Sequence, residues 1–202
     1  MNFSSFFSKV QETPWYGAFL NPVINEIENP GKLLDIGTGS GKLIQILTTE
    51  YGIDCVGVDT SQEMLDEATK KLRHIKTELI KIVPNQKLPF GNGSFDYITI
   101  CSVLFHLKEE DIDRMIKDSR RLLKKGGKII VLTPTGGGNF IKLTRYFPSI
   151  KNRSIYIWYL ATKKRAKAWT KTKYLRQYAK ENKLQYKSEI VMNGFAQLEV
   201  VV

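Results

Sequence analysis

Leu33-Leu34-Asp35-Ile36-Gly37-Thr38-Gly39-Ser40-Gly41 is the stretch that decides the fold of this chain. A short apolar run ends in an acid and three glycines at alternate positions. Leu43, Ile46 and Leu47 then follow at helical spacing. This reads as a buried strand over 32–36, a sharp turn, and a helix over 42–51. Glycine has no Cβ, so such a turn lets the backbone bend tightly and come close to a ligand.

Outward from this stretch the same alternation repeats. Residues 54–58 read as a second buried strand. Residues 61–73 read as a helix with Met64, Leu65, Ala68 and Leu72 on one face. Strands follow at 78–83 and 97–101. An amphipathic helix at 109–124 is expected to stop at Gly126-Gly127, before a fifth strand at 128–133. Residues 14–27 form a helical lead-in, with breaks expected at Gly17 and Pro22. Residues 139–162 show no clean period, and 163–182 read as a basic helix. Two last strands, 184–192 and 195–202, meet at the hairpin signal Asn193-Gly194. Apolar strands alternating with helices over short connections predict an α/β fold. The expectation is a doubly wound, mostly parallel seven-stranded sheet with an antiparallel C-terminal strand. One domain over 1–202 is expected, with a lead-in at 1–30 and a basic aromatic cap at 136–164.

Composition narrows the class. The 202 residues are 42% hydrophobic and 25% charged, ordinary for a globular chain. No apolar run reaches the roughly 20 residues of a membrane span. Residues 1–10 carry Phe3, Phe6 and Phe7 among serines and do not read as a signal peptide. Cys55 and Cys101 are isolated, which argues against a disulfide framework or a metal site and for a reducing, cytoplasmic setting. The net charge is +11. Residues 136–187 hold 14 Lys/Arg against one acid, whereas the rest holds 17 against 19. The basic character belongs to one segment, and it points to an anionic partner.

The glycine turn has a rival reading as a dinucleotide loop. That fingerprint is G-x-G-x-x-G, and here Lys42 stands where the third glycine would fall. Asp35 would also repel a pyrophosphate and attract an ammonium group. Spacing and acid together favour S-adenosylmethionine (SAM), whose methionine end carries an amine. Asp59 ends the second strand, where an acid can accept from both ribose hydroxyls. It also stands where a helix N-cap would be.

With Leu34–Gly41 and Gly57-Val58-Asp59-Thr60-Ser61 go Leu88-Pro89-Phe90, Ser94-Phe95-Asp96-Tyr97, Leu104-Phe105-His106-Leu107 and Leu122–Lys128. In this order they resemble class I SAM-dependent methyltransferases of the small-molecule type, the group that includes ubiquinone and menaquinone biosynthesis enzymes. The resemblance covers about residues 32–133. It implies that Asp35 lies near the SAM amine and that Gly37, Thr38, Gly39 and Gly41 shape the pocket. It implies that Asp59 holds the ribose and that Thr60 and Met64 flank the adenosine, Met64 against the adenine. Such enzymes often have Asp-Ala after the third strand. Here Pro84 and Asn85 stand there, so Asn85 or Gln86 is expected to supply an amide oxygen. Cys101 is expected beside the reacting methyl, and His106 as a candidate catalytic base or pocket wall. Tyr16, with Trp15, is expected to close over the cofactor or to anchor the core.

The acceptor is not legible. The cap mixes Phe140, Tyr146, Phe147, Tyr156, Trp158, Tyr159 and Trp169 with Lys and Arg. This suits a small anionic or hydrophobic acceptor, an acidic membrane surface, less readily RNA, or a plain solvated helix. A homodimer burying these aromatics and a non-catalytic SAM-binding module are the remaining readings.

Overall fold

A computed structural model describes residues 8–202. Phe3, Phe6 and Phe7 lie outside the described residues. Seven strands form one sheet: β1 (Lys32–Ile36), β2 (Asp54–Asp59), β3 (Glu78–Lys81), β4 (Phe95–Cys101), β5 (Leu123–Pro134), β6 (Tyr186–Val191) and β7 (Ala196–Val201). Their order is β3-β2-β1-β4-β5-β7-β6. Neighbours from β3 to β5 run parallel, and β7 runs antiparallel to both β5 and β6. The mostly parallel seven-stranded sheet with its antiparallel last strand is therefore the one expected. The order reverses between β1 and β4, so a crevice opens at their carboxyl ends.

The helices are α1 (Pro14–Ile24), α2 (Lys42–Tyr51), α3 (Gln62–Lys71), α4 (Glu109–Leu122), α5 (Phe140–Tyr146), α6 (Ser154–Thr172) and α7 (Tyr174–Glu181). Two large apolar clusters cover the sheet. One joins Trp15, Phe19 and Val23 of α1 to α2 and to Ile155, Trp158 and Tyr159 of α6. The other joins the inner strands to α4 and α7 through Ile98, Ile116, Leu175 and Tyr178. The inner strands β1, β2, β4 and the second half of β5 are buried on both faces, which is why they read as continuous apolar runs, whereas the edge strand β6 is largely exposed.

Several boundaries depart from the sequence reading. α1 runs through Gly17 and Pro22 without a break, because Trp15, Phe19, Leu20 and Val23 all bury on one side. Gly126-Gly127 does not cap α4. The helix ends at Leu122, and Leu123 already pairs with Phe95 before the register shifts to Tyr97 and Lys128. The glycines serve that irregularity: Gly126 has φ +79°, and a Cβ on Gly127 would lie 2.8 Å from the Asp96 carbonyl oxygen. The span 139–162, which showed no period, holds α5 and the first half of α6. The basic helix expected at 163–182 is α6 and α7, parted at Lys173, whose φ is +51°. The hairpin turn is as expected, with Asn193 at φ +54° and Gly194 at φ +94°. No helix among the described residues is long and apolar enough to cross a membrane.

Candidate active site

The glycine loop leaves β1 at the crevice. Gly37, Gly39 and Gly41 all have positive φ, a region that side chains with a Cβ rarely occupy. A Cβ on Gly37 would stand 2.4 Å from Val103 Cγ2, so the loop is also packed too closely for any side chain. The amides of Gly37 and Thr38 both donate to the Val58 carbonyl, at 2.8 and 3.1 Å. This ties the loop to the end of β2. Gly41 caps α2 in the left-handed conformation.

Asp59 closes the same corner. Its Oδ2 accepts from the Gly39 amide and its Oδ1 from the Ser61 amide, each at 2.9 Å. A carboxylate offers about four lone-pair sites, so two backbone bonds leave two acceptors for a ligand. Ser61, rather than Asp59, caps α3, with its Oγ accepting from the Met64 amide at 3.3 Å. Met64 is buried but belongs to neither large apolar cluster.

Asp35 is buried at the end of β1, and Thr99 Oγ1 donates to its Oδ1 at 2.7 Å. Burial pushes its carboxyl up to about 6, and Thr99 opposes that shift. Among the described residues no Lys or Arg forms an ion pair with it. Tyr16 lies within electrostatic reach of Asp35 and Cys101. Burial first, then Cys101 and Asp35, push its hydroxyl far above the ordinary range. Burial and Asp35 likewise hold the Cys101 thiol well up. Both groups are therefore neutral at physiological pH. Trp15 anchors the core, packing on Trp158 at 5.0 Å between ring centroids.

One residue here escaped sequence reasoning. Gln11 is almost fully buried over the loop. Its Oε1 accepts from the Ser40 amide and hydroxyl, and its Nε2 donates to the Tyr16 hydroxyl at 3.1 Å. Lys71 donates to Ser40 Oγ at 2.7 Å and, with Lys42, pairs with Glu12. Burial opposes the Glu12 charge, but the two lysines outweigh it and hold the carboxyl below its usual range. The chain before α1 is thus pinned over the glycine loop. No local motif announces a contact that spans 29 residues.

Beyond β2 and β3 lies a cavity of about 180 Å³ lined by Ile36, Thr60, Asn85, Gln86 and Asp111, among others. Thr60, Asn85 and Gln86 thus line one cavity, Asp111 of α4 joins them, and Met64 is not among its lining residues. Asn85 has φ +68°, and its carbonyl accepts from Arg114 at 3.4 Å.

At the end of β4, Ser102 has φ +58°, an uncommon conformation for a residue with a Cβ. Its hydroxyl and that of Thr133 on β5 are buried without a partner among the described residues. Buried unpaired hydroxyls are costly, and these two are sealed from solvent beside the end of β4. His106 stands apart from the Asp35 group, exposed on the turn after β4. Arg165 of α6 lies 3.2 Å from its Nδ1. Arginine can only donate, so Nδ1 accepts and the ring proton sits on Nε2. Partial desolvation by the side chains packed against the ring, Phe105 among them, and then Arg165 lower its pKa, which favours the neutral ring. A larger cleft of about 830 Å³, lined by Phe105, Asp113, Trp169 and Tyr178 among others, lies between α4, α6 and α7, and no residue of the glycine loop lines it.

A ligand with a cationic end, a diol and a flat apolar end fits these three stations: Asp35, Asp59 and the small cavity. SAM has all three. Residues 34–131 match the methyltransferase domain family. The chain is 32% identical over 119 residues to the ubiquinone/menaquinone biosynthesis C-methyltransferase UbiE of Geobacter sp. (strain M21), covering 54% of this chain and 49% of that protein. It is 33% identical over 105 residues to the demethylmenaquinone methyltransferase of Thermotoga maritima, covering 52% of this chain and 44% of that protein. The chain thus matches about half the length of these relatives. In fold it is similar to the crystal structure of a SAM-dependent methyltransferase from Aquifex aeolicus, with a TM-score of 0.69 at 15% identity over 100% of this chain and 98% of that one. With the loop, both acids and the strand order in place, residues 34–131 carry the features of a SAM-dependent methyltransferase domain, and over that span the chain is similar to UbiE-type enzymes.

Proposed function

We propose that the protein transfers a methyl group from SAM to a small, quinone-type aromatic acceptor. The acceptor class rests on the two relatives named above. The observation that carries the cofactor site is Asp59, which bonds the Gly39 amide while two of its acceptor sites stay open. In this reading Asp35 pairs with the SAM amine, and neutral Tyr16, held by Gln11, donates beside it. Gly37, Thr38, Gly39 and Gly41 give the close backbone approach. Asp59 holds the ribose. Thr60, Asn85 and Gln86 enclose the adenine in the small cavity, and Met64 is assigned only to the adenosine side of α3.

When bound, SAM would supply an electrophilic sulfonium methyl group, whose bond to sulfur breaks as the acceptor bonds the carbon in line, with S-adenosylhomocysteine as the leaving group. Cys101, a neutral thiol, and Ser102 stand where β4 ends and set the wall beside the reacting centre. His106 offers Nε2–H as a donor in the arrangement seen. It becomes a proton acceptor only when Arg165 releases Nδ1.

The test is single-turnover transfer from methyl-labelled SAM to small naphthoquinols and benzoquinols, with a catechol and a carboxylic acid as controls. Label on a ring carbon of the quinols is the expected result. Label only on oxygen, or only on the controls, overturns the acceptor class and leaves the cofactor site standing.

A further inference from the structure

We propose that the outer face of α5 and the first two turns of α6 docks onto an anionic bilayer surface. Residues 155–161 are Ile-Tyr-Ile-Trp-Tyr-Leu-Ala, apolar around the whole helix. One side is spent on the core: Ile155, Trp158 and Tyr159 are buried. At 100° per residue, Ile157, Leu160 and Ala161 fall on the opposite side, and Ile157 and Leu160 are 55% and 60% exposed. A helix that is apolar all round has normally found a second apolar neighbour. Among the described residues nothing covers this one.

α5 extends the same face. Only Leu143 of α5 is buried, and Phe140 stacks on Tyr156 at 5.8 Å, which joins the two helices. Ile141 is 78% exposed. Among the described residues, six of the ten large exposed apolar side chains lie between residues 140 and 160. Scattered apolar surface needs no explanation, but a concentration of this kind does.

Charge selects the occupant. No Asp or Glu occurs between Asp118 and Glu181. Lys142, Arg145, Lys151, Arg153, Lys164 and Lys167 surround the apolar face, and none forms an ion pair among the described residues. A second copy of this chain would bring cations against cations across a two-fold axis. Single-stranded RNA would need exposed rings for stacking. Here the most exposed residues, Ile141, Ile150, Ile157 and Leu160, are aliphatic, Trp158 and Tyr159 are buried, and the half-exposed rings of Phe140 and Tyr146 are already engaged by Tyr156 and Phe147. Aliphatic anchors ringed by lysine and arginine suit acyl chains below anionic headgroups.

The inference does not depend on the methyl acceptor, and its test needs no catalysis. The full chain is floated with vesicles of phosphatidylcholine alone and with vesicles half phosphatidylglycerol, at low and high salt. Wild type is expected to float with the anionic vesicles only, and less at high salt. Ile141→Glu/Leu160→Glu should lower the bound fraction about tenfold or more, and Lys142→Glu/Lys164→Glu should lower it while leaving the apolar face intact. Unchanged melting and SAM binding show that each variant is folded. The proposal fails if wild type does not float, or if both variants float as wild type does. It also fails if light scattering shows a dimer that the first variant breaks, or if the face retains RNA and not vesicles.

Discussion

Asp35 and Leu160 both defy ordinary burial, in opposite directions. The acid sits inside, at the end of a central strand, and the leucine sits outside, 60% exposed on a helix. Around Asp35 the backbone is fixed by positive-φ glycines, Val103 and Gln11, and polar groups point inward. Around Leu160 the side chains face solvent, and the outward charge has one sign. A fold spends stability where it must hold a ligand at a defined distance. It exposes apolar surface where it must meet something large and deformable.

The largest contrast lies within α6. Ile155→Ala should cost about 3 kcal/mol in chemical denaturation, because Ile155 is fully buried. Leu160→Ala, five residues on, should cost under about 0.5 kcal/mol. Equal costs would mean that the outer face is not outer. Next is Gly37→Ala. The left-handed conformation and the collision with Val103 should destabilise the fold by about 2 kcal/mol and weaken SAM binding. Adding Val103→Ala should recover part of the stability and little of the binding.

Asp35 gives a pH-dependent test. Its folded pKa of about 6 lies above the usual carboxylate value of 3.8. Between these values the native state binds more protons than the unfolded one, so this group makes stability fall as pH rises through that window. Asp35→Asn should raise stability near neutral pH by on the order of 2 kcal/mol, with no gain below about pH 4. Its SAM binding should fall by tenfold or more. Wild-type affinity for SAM should rise across the same window as the carboxylate ionises, and the variant should show a flat profile. The smallest effect is Arg165→Gln. Removing that cation should raise the His106 pKa, read from the imidazole proton shifts by NMR.

Much of the crevice was legible because its determinants are local. Glycines in a tight turn and acids at strand ends keep their spacing whatever surrounds them. Hence the strand–turn–helix forms as read, with Asp35 and Asp59 at the strand ends beside the loop. Gln11 was invisible because its part is made by a fold that returns it to Ser40. Asp111 was hidden for the same reason: it belongs to a helix far along the chain from β3. The cap defeated periodicity for a different cause. Periodicity reports one wet and one dry side, and residues 155–161 have apolar side chains on both. Gly126-Gly127 misled because glycine marks an irregular strand as readily as a helix end.

The most direct measurement is calorimetric titration of wild type and Asp59→Ala with SAM, S-adenosylhomocysteine and NAD. Wild type should bind the two SAM-related ligands in the micromolar range, about −8 kcal/mol, and should ignore NAD. Asp59→Ala should weaken both by about a hundredfold, since each hydrogen bond to a charged group is worth about 1.5–3 kcal/mol. Binding of NAD in place of SAM, or SAM binding that Asp59→Ala leaves untouched, would contradict the cofactor site described here.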